Sequence, residues 1–225
     1  MTTTNEKCVL LFDQDGVLAN WYGRLLSRWQ SLYPDRPFVK PENLKTFYVE
    51  EAYPSEYHRD LLAITRTDDF YETLEPIAGA VDVLYDIQTN CLDFIDPYIC
   101  TSPDLDFEDL DCHSQKARWV DGHLGNFWLK RMILTKDKTL VRGHILIDDK
   151  PTVTGALKPV WDHLVYDSAY AGKPPNMTFT WKDWPILRQA LREEFGVKEP
   201  NIVKASDAKK DPVKILRFDN LILPT

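Results

Sequence analysis

Two carboxylates, Asp13 and Asp15, stand two residues apart in Phe12-Asp13-Gln14-Asp15-Gly16-Val17, directly after the apolar run Cys8 to Phe12. At the carboxyl end of a strand such a pair lies where open parallel sheets collect their ligands. One acid can then attack an electrophile while the other moves protons. A plain Asx turn is the bland alternative. An EF-hand calcium loop is excluded, because that loop needs glycine at its sixth position and Gly16 stands at the fourth. Three weaker signals follow in chain order. Ile99-Cys100-Thr101-Ser102-Pro103 runs a strand into two hydroxyls, which can hold a phosphate oxygen or simply form a turn. Lys116, in the helical stretch Ser114 to Trp119, is either a phosphate ligand or a solvated charge. Ile145-Leu146-Ile147-Asp148-Asp149-Lys150 ends an apolar strand in adjacent acids, which are ligands or helix caps. Each of the three is weak alone. Their order, each at a strand end or on the helix after it, makes them one constellation on one edge of a sheet.

The elements that must position these groups are legible as period. Strand-length apolar runs occur at Cys8 to Phe12, Pro97 to Cys100, Met132 to Leu134, His144 to Ile147 and His163 to Tyr166. Helical patterns at Val81 to Gln88, Ser114 to His123 and Trp184 to Phe195 alternate with them. That alternation predicts an α/β fold, a three-layer Rossmann-like core around a parallel sheet. Residues 20–75 break it. Tyr22, Leu25, Leu26, Trp29 and Leu32 repeat at helical spacing, Tyr48 to Tyr57 follows, and Pro34, Pro37, Pro41 and Pro54 cut between them. A small helical cap inserted after the first strand is expected at 20–75, with the catalytic core at 1–19 and 76–195 and an extension of unassigned role at 196–225.

Composition narrows the partners. The chain has 225 residues, 44% of them hydrophobic and 28% charged, and its formal charge is −8. Broad electrostatic capture of a nucleic-acid polymer or an anionic membrane is therefore excluded, and an anionic substrate needs a local positive site. No apolar run reaches the length of a membrane span, and Met1 to Lys7 leads into no secretory core, so cytoplasmic residence is expected. Cys8, Cys91, Cys100 and Cys112 show neither C-x-x-C nor zinc spacing and read as reduced thiols.

Taken together, Asp13 with Asp15, Thr101 with Ser102, Lys116, and Asp148 with Asp149 resemble the motif set of the haloacid dehalogenase superfamily. Closer likeness lies in LFDQDGVLAN, LEPIAGAVD, YICTSP, KARWV with HLG, ILTKDKT, LIDDKPTVTG and PVWDHLVYD, between Leu11 and Asp167. These stretches are similar to the 5'(3')-deoxyribonucleotidases. The resemblance implies Mg²⁺-dependent hydrolysis of nucleoside monophosphates, dUMP and dTMP favoured, through an aspartyl-phosphate on Asp13. It implies Asp15 as acid and base, and Asp13, the backbone oxygen of Asp15 and Asp149 as metal ligands. Thr101, Ser102 and Lys116 would bind phosphate. Asp148 would stand behind the metal and orient Lys116 or a water, while Trp21, Phe47 and Tyr48 would sandwich the base. Lys136 and Lys138 form a basic loop pair in the family's substrate-binding stretch. The partner expected is a small nucleotide, and a homodimer is compatible with the sequence.

Three positions depart from the family pattern. Lys136 stands where the vertebrate-type enzymes usually have Arg, Asn20 replaces a frequent Asp, and Thr65 falls where some members carry a cap aromatic. Base preference is what these departures touch. The competing readings are a phosphatase for another small phosphomonoester, such as a sugar or cofactor phosphate, and a non-catalytic nucleotide-binding module. Such modules usually lose a nucleophile, a lysine or an acid, and none is missing here.

Overall fold

Along the first strand apolar side chains point alternately to opposite faces, and both faces are covered. The computed structural model describes residues 6–103, 111–168 and 178–196. Six strands, β1 (Cys8–Phe12), β2 (Ile95–Thr101), β3 (Met132–Leu134), β4 (Ile145–Asp148), β5 (Asp162–Tyr166) and β6 (Thr178–Phe179), form one parallel sheet in the order β3-β2-β1-β4-β5-β6. Cys8, Leu10 and Phe12 enter the larger core, which also takes apolar residues of α3 (Ala80–Asn90), α4 (Asp111–Leu124), α5 (Asn126–Leu129) and α6 (Trp184–Phe195). Leu11 joins Cys100, Leu146 and Trp161 on the opposite face, flanked by Val141 and Val153. Strands buried on both sides carry unbroken apolar runs, which is why the sequence announced them. β6 has two residues, too few to show a period.

Register fixes the edge where chemistry can gather. Phe12 pairs with Ile99 on one side and Ile147 on the other, so the chain leaves β1, β2 and β4 at one level. Right after β1 the backbone turns tightly. Gly16 adopts φ +74, a region that penalises any Cβ, and the amides of Leu18 and Ala19 both donate to the Gln14 carbonyl at 2.8 Å.

The segment after this turn leaves the sheet and returns beside its own start. Asn20 N–H donates to Glu75 O at 2.8 Å, Ile77 N–H donates to Leu18 O at 2.8 Å, and Ala19 bridges Pro76. Between these ends lie α1 (Trp21–Leu32) and α2 (His58–Thr65). α1 begins at Asn20, whose side-chain oxygen accepts from Gly23 N–H at 3.0 Å. Tyr48 to Tyr57, read from period as helical, instead holds two 3-10 turns, Val49–Ala52 and Ser55–Tyr57. Pro54 separates them, because it has no N–H to donate and disfavours helical backbone in the residue before it.

Aromatic packing holds this segment together. Trp29 is fully buried, with the rings of Tyr33, Tyr53 and Tyr57 at 4.9, 5.4 and 5.5 Å and its Nε1–H donating to Pro37 O at 3.1 Å. The Arg36 guanidinium lies 4.1 Å from the Tyr33 ring. All four cysteines are buried and stand outside any disulfide, and burial pushes the thiols of Cys8 and Cys100 up to about 12. Among the described residues no helix is long and apolar enough to cross a membrane. The extension expected at 196–225 lies outside the described residues, Gly196 excepted.

Trp29→Ala removes the centre of that cluster, and it should cost about 3 to 5 kcal/mol, the usual range for emptying a buried Trp site. Denaturant unfolding of the purified variant checks this. A loss below about 1 kcal/mol would show that the cluster contributes little.

Candidate active site

Four neighbouring strands of the sheet deliver their chain ends to one place. Asp13 follows β1, Thr101 closes β2, Asp148 closes β4, and the turn after β3 carries Lys138. Asp13 Oδ1 accepts from the Gln14 N–H and from Lys138 Nζ, both at 2.8 Å. Lys138 Nζ also donates to Asp148 Oδ2 at 2.6 Å, while Asp148 Oδ1 accepts from Lys150 N–H at 2.9 Å. One buried ammonium is thus clamped between two carboxylates. Its turn is fixed by Asp137, whose two oxygens accept from Thr139 N–H at 2.9 Å and Ala156 N–H at 2.7 Å. Trp161 Nε1–H donates to Lys138 O at 3.3 Å on the other side.

Charge explains why the clamp is tight. Burial disfavours the Lys138 ammonium, but Asp13 and Asp148 outweigh that penalty and raise its pKa above the ordinary lysine value. Burial lifts the Asp13 carboxyl well above the usual carboxylate range, Lys138 pulls it back, and Asp148 pushes it up again. A cation added beside these acids would favour their ionised forms.

A second buried lysine serves the other acid. Lys116 is 1% exposed, and its Nζ lies 2.5 Å from Asp15 Oδ2 and 3.1 Å from Thr101 Oγ1, over the Tyr71 ring at 5.1 Å. Asp15 Oδ1 is buried and has no hydrogen-bond partner. An acceptor held in place without a donor is costly, so its position implies a group that brings a proton or positive charge.

Asp13, Asp148 and Asp149 each offer an oxygen within 4.8 Å of the others. The set is all hard oxygen with no thiolate, which suits a divalent cation of the Mg²⁺ class. Both oxygens of Asp148 already accept hydrogen bonds, whereas the two contacts of Asp13 fall on Oδ1. Asp13 Oδ2 and the 2%-exposed Asp149 are the carboxylate groups better placed to ligate. The residues present therefore fit a metal.

Above them opens a cavity of about 260 Å³. Asp13, Asp15, Asp149, Thr101 and Ser102 line its floor, and Trp21, Phe47 and Tyr48 line the inserted segment's side. The Trp21 ring stands edge-on to Phe70 at 5.8 Å, and Phe47 is perpendicular to Tyr48 at 5.4 Å. Lys150 reaches across from the sheet, its Nζ 5.8 Å from the Phe47 ring and 5.6 Å from Tyr48. That cation–π pair ties the aromatic turn to the strand end bearing Asp149.

Most of the residues singled out from sequence meet here, with two differences of arrangement. Lys136 and Lys138 are not a basic pair on one loop surface. Lys138 is buried against Asp13 and Asp148, while Lys136 is exposed and does not line the cavity. Asp148 holds Lys138 rather than Lys116, since the turn after β3 lies closer to β4's end than α4's lysine, which is occupied by Asp15. Lys150 and Glu50 were not anticipated. The only signal for Lys150 was its place directly after the paired acids.

Comparison with known proteins gives the same direction. The profile of the family described as "5' nucleotidase, deoxy (Pyrimidine), cytosolic type C protein" matches residues 7–170. A Bordetella pertussis protein is 37% identical over 177 residues, 78% of this chain and 92% of that relative. The mitochondrial 5'(3')-deoxyribonucleotidase of Mus musculus is 36% identical over 81% of this chain and 86% of its own. For the cytosolic-type 5'(3')-deoxyribonucleotidase of Homo sapiens the identity is 37%, over 70% of this chain and 78% of its own.

Replacing Lys138 by Met leaves two carboxylates buried beside each other. The variant should lose about 3 to 5 kcal/mol of stability at neutral pH. Adding Asp148→Asn should return part of that loss, because it removes one uncompensated charge. Equal stability of the single variant and the parent in denaturant titrations would contradict the clamp.

Proposed function

The chain belongs to the 5' nucleotidase, deoxy (pyrimidine), cytosolic type C family, and from that we propose that it is a Mg²⁺-dependent phosphatase of (deoxy)nucleoside monophosphates, dUMP and dTMP favoured, working through an aspartyl-phosphate. The observation that carries this reading is the acid cluster Asp13, Asp148 and Asp149, of which Asp13 and Asp149 line a cavity whose opposite wall is aromatic. An acidic floor alone would repel a phosphate monoester. Asp13, Asp149 and the Asp15 carbonyl would hold a divalent cation, which when bound would supply charge neutralisation for the phosphate.

Each protein group then has one task. Lys138 and the Gln14 amide fix the Asp13 carboxylate through Oδ1, and that carboxylate attacks phosphorus in line with the leaving nucleoside oxygen. The Asp13 oxygen–phosphorus bond forms as the ester bond breaks. Lys116 holds Asp15 by Oδ2, so the partnerless Oδ1 is the atom that gives its proton to the departing oxygen. Water then attacks the phosphoryl group, Asp15 takes the water's proton, and free phosphate and the Asp13 carboxylate are restored. Thr101, Ser102 and Lys116 meet the phosphoryl oxygens. Trp21, Phe47 and Tyr48 flank the base, a stacking contact worth about 1 to 3 kcal/mol. Lys136, proposed from the resemblance as a substrate-binding group, does not line this cavity. In this reading residues 20–75 are the cap that supplies specificity, and four buried cysteines outside any disulfide suit a reducing cytoplasm.

Phosphate release from a panel of monophosphates tests it. We expect dUMP and dTMP to turn over with Mg²⁺, activity to vanish on chelation, and sugar phosphates to lag. Asp13→Asn should abolish turnover without unfolding the chain. Asp15→Asn should lower it about 10²-fold or more with metal affinity little changed. Faster release from sugar phosphates than from every nucleotide would overturn the nucleotide assignment.

A further inference from the structure

The inserted segment returns to the sheet along α4, and one amide side chain of that helix reads its backbone. Gln115 is 4% exposed. Its Oε1 accepts from Tyr71 N–H at 2.8 Å, while Nε2 donates to Thr67 O at 3.2 Å and to Asp111 Oδ2 at 3.1 Å. Thr67 O also accepts from Phe70 N–H at 3.1 Å, which closes the turn that Gln115 grips. A carboxylate in its place could take the first of these bonds but not give the other two.

Two active-site groups depend on where this turn sits. Tyr71 places its ring 5.1 Å from Lys116 Nζ, against the ion pair of that lysine with Asp15. An aromatic face there keeps water from the pair, and in a drier site the lysine holds Asp15 more firmly. Phe70, fully buried, stands edge-on to Trp21 at 5.8 Å and so backs a ring of the cavity wall. Gln115 and Lys116 are neighbours on α4, so the grip and the lysine it serves move together. Farther along, Trp119 Nε1–H donates to Leu74 O at 2.7 Å and Arg118 Nε donates to Glu72 Oε2 at 2.5 Å. These bonds hold the rest of the return, so losing those of Gln115 frees residues 67–71 without releasing the segment.

We propose that Gln115 is a positioning residue for the reaction: by fixing the 67–71 turn on α4 it holds Tyr71 against the Lys116–Asp15 pair and Phe70 behind Trp21. The proposal rests on the phosphatase reading above and adds to it a group that touches no substrate atom.

The test measures kcat and KM for dTMP and for an alkyl phosphate, on the full chain with Mg²⁺ and below the unfolding temperature of every variant. Gln115→Met keeps the bulk and loses all three bonds. We expect kcat to fall about 10- to 100-fold on both esters, because both use the Lys116–Asp15 pair. KM should rise more for dTMP than for the alkyl phosphate, through Trp21. Gln115→Glu keeps an oxygen for the Tyr71 amide and should restore part of the loss. Tyr71→Leu removes the ring and should lower kcat by itself. In that background Gln115→Met should cost less than in the parent, since its main route is already gone. Parental kcat in folded Gln115→Met or in Tyr71→Leu overturns the proposal, and so does an equal cost of Gln115→Met in both backgrounds. Turnover of alkyl phosphate but of no nucleotide would remove the nucleotide assignment and leave this comparison to be made on that ester. Turnover of neither ester removes both.

Discussion

Everything at the candidate site leans on one buried ion triad, the Lys138 ammonium between Asp13 and Asp148. Two carboxylates within reach of each other in a dry pocket repel; a single cation between them offsets that repulsion. That arrangement exists only because β3, β1 and β4 run parallel and release their chains at the same edge. Asp137 and Trp161 then hold the Lys138 turn in place. The arrangement also leaves work undone. Asp13 retains an oxygen without a hydrogen bond from the triad, and Asp15 Oδ1 has no partner at all. Both oxygens are acceptors suited to a proton or a positive charge.

How much of this could be read from residues alone depends on what each residue had around it in sequence. Asp13, Asp148 and Thr101 were legible because each ends an apolar run, and a buried parallel strand has no other way to look. Lys138 was harder. It sits in a polar stretch, Leu134-Thr135-Lys136-Asp137-Lys138-Thr139, where nothing local distinguishes a buried lysine from a solvated one. Only the pairing of β3 with β2, fixed by contacts distant in sequence, decides that Lys138 turns inward and Lys136 outward. Tyr48 to Tyr57 failed differently: its apolar spacing fits a helix, but Pro54 divides it into single turns. β6 was invisible at two residues.

The inserted segment carries a separate physical problem, that of placing aromatic side chains over a charged floor without a sheet to support them. Its ends are pinned to each other by backbone bonds at Asn20 and Ile77, and its interior is filled by Trp29 and three tyrosines. Lys150 adds a charged link between the strand edge and the Phe47–Tyr48 turn. A floor held by ion pairs can stay constant while the wall opposite changes side chain by side chain.

The claim that Asp13 is the nucleophile can be read directly from the protein. Full-length chain turning over dTMP with Mg²⁺ is quenched in acid within a single turnover and digested, and the peptide spanning Lys7 to Trp21 is sequenced by mass spectrometry. The account predicts one phosphoryl group on Asp13, absent without substrate and absent from Asp13→Asn. A phosphoryl group on any other residue during turnover would contradict it.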